Sequence, residues 1–297
     1  MTNNADPSAL TTKHLSPFRY PGGKSWFVGI ARKWLKAQSI LPKILVEPFA
    51  GGACISLLAA NECLVEQSVF VEIDQDVAAT WETVLNGHAT WLANEILAFR
   101  VSRKRVEMKL KEVPKTDHER AFQCLLKNRT ARGGVLSEGA GLIRRGEDGK
   151  GLSSRWYPET LAKRIKAISG LKNQLHFRQG DGFEVISEYL QRTDTVFFVD
   201  PPYTQAARRL YRHWNIDHEK LFELMHGAKG EVLMTYDDTR EVRMWARRYG
   251  FQVRKLSMRT THHQQKQELM IARDFGWLRE GDKVAKNHFG LNNIAVP

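Results

Sequence analysis

The sequence is poor in cysteine and proline and has neither a long apolar run nor an internal repeat. Of its 297 residues, 3 are Cys and 10 are Pro. Cys54, Cys63 and Cys124 form no Cys-x-x-Cys pair and stand among apolar neighbours. That pattern argues against a disulfide frame or a zinc site and predicts reduced, buried, structural thiols. The 10 histidines show no ligand spacing, so no metal is expected. The best apolar stretch, 44–60, is broken by Glu47, Pro48 and a glycine pair, well short of the roughly 18 apolar residues that a membrane span needs. The first part of the chain has no basic segment followed by an apolar one, so no secretory leader is expected and the chain is assigned to the cytoplasm.

What is present suffices for a core. Hydrophobic residues make up 42% and charged residues 26%, which excludes wholesale disorder and fits one large domain or two ordinary ones. Lys and Arg number 45 against 33 Asp and Glu, a net charge of +12. Residues 86–170 hold 18 of those cations and only 9 acids, and so supply +9 of the excess. A local surplus of this kind predicts a contact surface for a polyanion.

Residues 1–16 are polar and aperiodic and read as a loose arm. The pattern then predicts a strand over 44–47, a helix over 53–61, a second strand over 68–72 and a helix from about 76 to 85. This βαβα start implies a parallel sheet in an open α/β fold. Alternation stops for about ninety residues, where helices over 90–111, 117–127 and 158–168 surround a Gly- and Arg-rich loop from Arg129 to Arg155. Strands over 175–178, 195–199 and 231–235 resume the rhythm, with helices over 217–226 and 240–249. A final hairpin pairs 251–258 with 268–271. The expected organisation is a catalytic domain of 17–86 and 171–276, an inserted helical lobe of 87–170 and a polar tail of 277–297.

Three motifs carry chemistry. Glu47-Pro-Phe-Ala-Gly-Gly-Ala53 sits where a strand hands over to a helix, so its glycines allow close backbone approach and the helix start offers free amides. Glu72 and Asp74 end the next strand, where nucleoside-binding α/β proteins place the acid that holds ribose hydroxyls. Tyr20-Pro-Gly-Gly-Lys-Ser25 is not a phosphate loop, because Phe18 stands where that motif needs glycine. The strongest signal is Val196-Phe-Phe-Val-Asp-Pro-Pro-Tyr203. Here a buried strand delivers a carboxylate to its carboxyl edge and two prolines stop the strand. Asp200 and the Pro201 carbonyl then offer two acceptors to an exocyclic amine, beside the aromatic face of Tyr203.

The series Phe18-Arg-Tyr-Pro-Gly-Gly-Lys24, Glu47 to Ala53, Glu72-Ile-Asp74, Asp181-Gly-Phe183 and Asp200-Pro-Pro-Tyr203 resembles that of the Dam-like, alpha-group DNA adenine-N6 methyltransferases over about residues 15–275. The resemblance implies a Rossmann-like class I methyltransferase sheet, mostly parallel with a C-terminal antiparallel hairpin, and an inserted, mostly helical target-recognition lobe. It implies S-adenosylmethionine as cofactor, held by Tyr20, Gly22, Gly23, Lys24, Glu47, Pro48, Phe49, Gly51, Gly52, Glu72, Ile73, Asp74, Asp181, Gly182 and Phe183. Glu72 would take the ribose, and Asp181 with Phe183 the adenine. Asp200, Pro201, Pro202, Tyr203 and Lys24 would form the catalytic group around a flipped target adenine. Arg129, Arg132, Arg144, Arg145, Lys150 and Arg155 would face DNA. The pattern departs from the family at Ala53, where a glycine is usual, and at Glu72, where Asp is more familiar.

The implied partner is double-stranded DNA, in the cytoplasm beside the nucleoid of a prokaryotic or phage-infected cell. A companion restriction endonuclease, and a monomer or weak dimer, stay open. So do three rival readings: an RNA adenine methyltransferase, an inactive DNA-binding protein of the same fold, and an N4-cytosine enzyme, against which Asp200 stands where Ser is usual. Trp156 and Tyr157 read equally as core or as a base-stacking platform. Arg208, Arg209 and Arg212 read as a phosphate grip or a solvated face, and His262 and His263 carry no assignment.

Overall fold

The structure, a computed structural model, describes residues 15–19, 23–137, 139–146, 149–203, 215–259, 265–278 and 291–292. Tyr20, Gly22, Arg208, Arg209, Arg212, His262, His263 and nearly all of the arm and tail lie outside them. Eight strands form one sheet: β1 (Ile44–Glu47), β2 (Gln67–Glu72), β3 (Leu175–Gln179), β4 (Thr195–Val199), β5 (Glu231–Asp237), β6 (Gln252–Arg259), β7 (Gln265–Ala272) and β8 (Leu291–Asn292). Their order is β3-β2-β1-β4-β5-β7-β6-β8. The first five in that order run parallel, and β7 inserts antiparallel between β5 and β6. This is the Rossmann-like methyltransferase sheet. The order in which strands are added reverses between β1 and β4, and that switch point is where such sheets open a crevice for ligands.

Both faces of the sheet are covered, and β4 shows why its apolar run is unbroken. Val196 and Phe198 pack on one side with α1 (Val28–Lys36) and α2 (Cys54–Asn61). Phe197 and Val199 pack on the other with α8 (Gly182–Tyr189), α9 (His218–Gly227) and α10 (Arg240–Arg248). Side chains alternate across a strand, so a central strand buried on both faces is apolar along the run that follows its first residue, Thr195.

A helical lobe interrupts the sheet between α3 (Gln75–Leu85) and β3, built from α4 (Ala89–Ala98), α5 (Arg103–Lys111), α6 (Asp117–Thr130) and α7 (Pro158–Ser169). The single helix expected over 90–111 is two. Phe99 leaves the helical region at φ −77, ψ 112, and the Ser102 hydroxyl accepts from the Arg105 amide to start a new helix. The expected loop begins only after Thr130, because α6 continues through Arg129. The helices at Val28–Lys36 and Gly182–Tyr189 were not anticipated from the sequence. Trp156 belongs to the lobe's core, edge-on to Phe99 and Phe122, whereas Tyr157 is exposed. Cys63 corrects the expectation of three buried thiols, since it is exposed in the turn after α2. Among the described residues no helix is long and apolar enough to cross a membrane.

The lobe is not a separate body. One apolar cluster runs from Phe70 and Trp81 beside the sheet through Leu92 and Phe122 to Ile165. Polar groups add a clamp on the segment that leads to Lys24. Asn128 accepts from the Arg19 amide at 2.8 Å and donates to the carbonyls of Arg19 at 3.2 Å and Gly134 at 2.8 Å. Arg129 donates through Nε to the Pro17 carbonyl at 3.1 Å and again through its terminal nitrogen. Arg164 reaches the Ser16 carbonyl at 3.0 Å. Asn128→Ala would leave three backbone groups without this partner, and we expect a loss of about 2–3 kcal/mol in urea unfolding; a loss below about 0.5 kcal/mol, typical of a neutral surface change, would refute the clamp.

Candidate active site

A cavity of about 520 Å³ opens at the carboxyl ends of β1, β2 and β4, within the range of small-molecule and cofactor sites. The turn after β1 supplies Glu47, Pro48, Phe49, Gly51 and Gly52; the end of β2 supplies Glu72, Ile73 and Asp74; the start of α8 supplies Asp181, Gly182 and Phe183. Gly23, Lys24, Asp200 and Pro202 close a further side. Every described residue that the resemblance assigned to the cofactor therefore lines one space.

Local chemistry shapes that wall. Gly51 adopts φ +47, and the Trp81 indole donates to its carbonyl at 3.0 Å. Ala53 also takes a left-handed conformation, φ 47 and ψ 38, directly before α2. It thus does what glycine would do there, at a cost of roughly 1–2 kcal/mol. A Cβ on Gly182 would lie 2.3 Å from the Pro48 carbonyl oxygen, so the β1 turn and α8 meet only because that position is glycine. Phe49 and Phe183 meet edge-on at 6.0 Å, and Ile73 is 45% exposed at the cavity rim.

The acids divide by task. Asp74 caps α3, accepting from the amides of Asp76 and Val77, and Asp181 caps α8 through Phe183. Glu72 accepts from the amides of Gly51 at 3.1 Å and Asp74 at 2.8 Å, and it ties the two turns together. Burial pushes its pKa up to about 7 against those bonds. Glu47 accepts from the Ser56 amide at 2.7 Å and is likewise pushed up to about 7 by burial. Cys54, on the cavity wall, is pushed up to about 12 by burial and the Glu47 charge, which keeps it a thiol.

The segment around Asp200 is tightly held. Lys24, in the short 3₁₀ turn Lys24–Trp26, is buried and donates to Asp200 Oδ1 at 2.8 Å and to the Tyr203 hydroxyl at 2.7 Å. It also lies 3.4 Å from Glu268 Oε2. Tyr203 in turn donates to Glu268 Oε2 at 2.9 Å, and Thr235 donates to Asp200 Oδ1 at 2.7 Å. Burial raises the pKa of Asp200, with Glu268 adding to the effect against the pull of Lys24. Burial opposes the Lys24 charge, but Asp200 and Glu268 together outweigh it and its pKa rises. Two carboxylates near one ammonium favour the charged form of Lys24, and the second carboxylate adds to the rise that burial gives Asp200. Pro201 and Tyr203 are buried behind the cavity rim. Sequence reasoning missed Thr235 and Glu268, which lie on β5 and β7 without any motif.

The DNA-facing set divides. Arg132, Arg144, Arg145 and Lys150 are exposed on the lobe and Arg155 is half-buried. Arg129 is a correction: it is 4% exposed, spends its donors on Pro17, and burial, with Arg164 and Arg19 nearby, depresses its pKa to about 9. It holds the chain at Pro17 and is not part of the lobe's exposed basic surface. The loop after α6 is closed by a bridge between Ala131 and Leu142, and it brings Gly134, Leu136 and Ser137 into the cavity wall. The lobe thus borders the space that the cofactor motifs enclose.

The family profile described as D12 class N6 adenine-specific DNA methyltransferase matches residues 20–261. The chain belongs to this family. The methyltransferase uses S-adenosylmethionine to methylate adenine in DNA. Among curated protein sequences none matches it. Among solved structures, it is similar to a putative RNA methyltransferase from Pyrococcus horikoshii at 12% identity, covering 89% of each chain with a TM-score of 0.38. A SAM-dependent methyltransferase from Agrobacterium tumefaciens is matched at 9% identity over 84% of this chain and 62% of that one, TM-score 0.41. A putative tRNA (m1A22) methyltransferase from Streptococcus pneumoniae is matched at 10% identity over 83% and 71%, TM-score 0.38.

The raised pKa of Glu47 has a measurable consequence. Its folded value of about 7 lies above the unfolded value near 4.5, so the unfolded chain ionises first. Its contribution to stability is full below about pH 4.5 and is lost as pH rises toward 7, on the order of 3 kcal/mol. In the cofactor-free enzyme, Glu47→Gln should therefore flatten the fall of thermal stability between pH 5 and 7 and raise stability at about pH 8. An unchanged pH slope would show that Glu47 is ionised in the folded protein.

Proposed function

We propose that Asp200, Pro201 and Tyr203 hold the amino group of an adenine swung out of duplex DNA, while the cavity bounded by Glu47 to Gly52, Glu72 to Asp74 and Asp181 to Phe183 takes S-adenosylmethionine. The observation that carries this reading is the asymmetry of Asp200. Lys24 and Thr235 both bond to Oδ1, so Oδ2 is left to accept from the amine at the edge of the cavity. The Pro201 carbonyl is the second acceptor, and together they direct the nitrogen lone pair.

The residues present fit the cofactor. A glycine at 182 where a Cβ would strike Pro48, the left-handed turn at Gly51 and the apolar rim of Ile73, Phe49 and Phe183 make a narrow slot for a planar base, with acids on its border. When bound, the cofactor supplies an electrophilic methyl group that leaves its sulfur with the bonding electron pair on sulfur, so neither a metal nor a covalent enzyme intermediate is needed. The methylated nitrogen then carries one proton too many, and Asp200 Oδ2 accepts it. A carboxylate whose pKa is raised by burial suits that transfer better than an ordinary surface acid.

We take the lobe of 87–170 as the DNA grip. Extruding a base costs a few kcal/mol, and phosphate contacts from Arg132, Arg144, Arg145 and Lys150 would offset it. Arg155 lies at the border of this surface.

Asp200→Ala should lower methyl transfer about 10²- to 10⁴-fold while calorimetric S-adenosylmethionine binding persists; an active variant would sink the assignment. Charge reversal at Arg144 and Arg145 should weaken DNA binding and reduce the salt slope by about two, with cofactor affinity unchanged. Equal loss of both affinities would refute the division of labour. Competition between duplex DNA and structured RNA, followed by transfer of a labelled methyl group, separates the DNA reading from an RNA one.

A further inference from the structure

We propose that Glu268 is a positioning residue for methyl transfer: it is the counter-charge that holds the Lys24 ammonium and the Tyr203 hydroxyl, so that Asp200 keeps one carboxylate oxygen for the target amine. The proposal rests on the amino-methyl transfer reading above.

Glu268 has no exposed surface. It lies on β7, paired across the sheet with Asp237 of β5, far in sequence from every motif. A carboxylate is kept in such a place only where charge and hydrogen bonds compensate its lost hydration. Glu268 Oε2 receives both: the Tyr203 hydroxyl at 2.9 Å and the Lys24 ammonium at 3.4 Å. Lys24 also lies 5.0 Å from the centre of the Tyr203 ring. Ammonium, phenol and carboxylate therefore meet one another beside Asp200.

Charge counting shows what the set achieves. Lys24 carries one positive charge, and Asp200 and Glu268 carry one negative charge each. When the amine acquires its methyl group and passes its surplus proton to Asp200, Asp200 becomes neutral. That step removes the charge from the carboxylate that Lys24 bonds at 2.8 Å, and Glu268 is the second carboxylate within ion-pair range of this buried ammonium. With Glu268, Lys24 stays paired before and after, and the surplus negative charge draws the proton onto Asp200. Other groups facing Asp200 are Thr235 and Tyr236 on β5, Glu47 on β1 and Cys54 on α2. Of these, only Glu47 is a carboxylate, and it is occupied by the Ser56 amide.

The test uses Glu268→Gln, which keeps shape and hydrogen bonding but removes charge, with Glu268→Asp as a second variant that retains it. In the full-length enzyme, Glu268→Gln should lower kcat roughly tenfold or more with the KM for DNA within about twofold. It should also move the acid limb of the kcat–pH profile to lower pH. Carbon-13 NMR of the Asp200 carboxyl in the cofactor-free protein, assigned through Asp200→Asn, should show the same downward shift. Glu268→Asp should restore the wild-type position of that titration in part. If Glu268→Gln lowers only the melting temperature and leaves both the pH limb and the Asp200 titration in place, Glu268 is merely structural and the proposal falls. The NMR titration needs neither DNA nor cofactor, so a failure of the wild-type enzyme to methylate DNA would overturn the underlying reading without being confused with a failure of this one.

Discussion

The site depends on one buried ammonium. Lys24 comes from a short turn ahead of the first strand, Asp200 from the end of β4 and Glu268 from the antiparallel β7, and the three meet within hydrogen-bond or ion-pair distance. Burying a cation and two anions is costly unless they meet with good geometry. The insertion of β7 between β5 and β6 is what brings Glu268 to the carboxyl edge. The parallel half of the sheet alone would leave Lys24 with Asp200 and no second carboxylate. The buried cluster around Lys24 is thus completed by the part of the fold that departs from parallel order.

The cofactor side obeys a different constraint. There, backbone approaches backbone: Gly182 against the Pro48 carbonyl, the Gly51 carbonyl under the Trp81 indole, and Glu72 between the amides of Gly51 and Asp74. Few side-chain charges are free in this wall, because Asp74 and Asp181 serve helix starts and Glu72 serves turns. Its shape is therefore set before any ligand arrives, which is the preorganisation that ligand affinity draws on.

Much of this was legible in the sequence where apolar runs were long or prolines abrupt. Ile44–Glu47 and Thr195–Val199 form strands with the expected bounds, because a strand buried on both faces reads as a near-continuous apolar run with polar residues only at its ends. Glu268 was not legible. It follows Gln265, Lys266 and Gln267, a polar run that suggests a solvated edge, and its burial depends on partners 65 and more residues away. The Gly- and Arg-rich pattern from 129 to 155 assigns Arg129 to a loop, whereas it belongs to α6. It lies four residues after Leu125, on the stripe that includes Ala121 and Phe122, and helical periodicity alone would have turned it inward. The same periodicity marks Val28, Ala31, Trp34 and Leu35 as the buried stripe of α1, a signal that was present and unused. The break at Phe99 and Ser102 needed the capping hydroxyl to be weighed against a continuous basic pattern.

The grip of Asn128, Arg129 and Arg164 on residues 16–19 makes the lobe an imperfect cassette. An exchange of 87–170 with that of a relative would bring foreign side chains to the strap that leads into Lys24. Change that leaves the strap intact is then easiest on the exposed rim around Arg132, Arg144 and Arg145, whereas replacement of the lobe's inner face requires lobe and strap to change together.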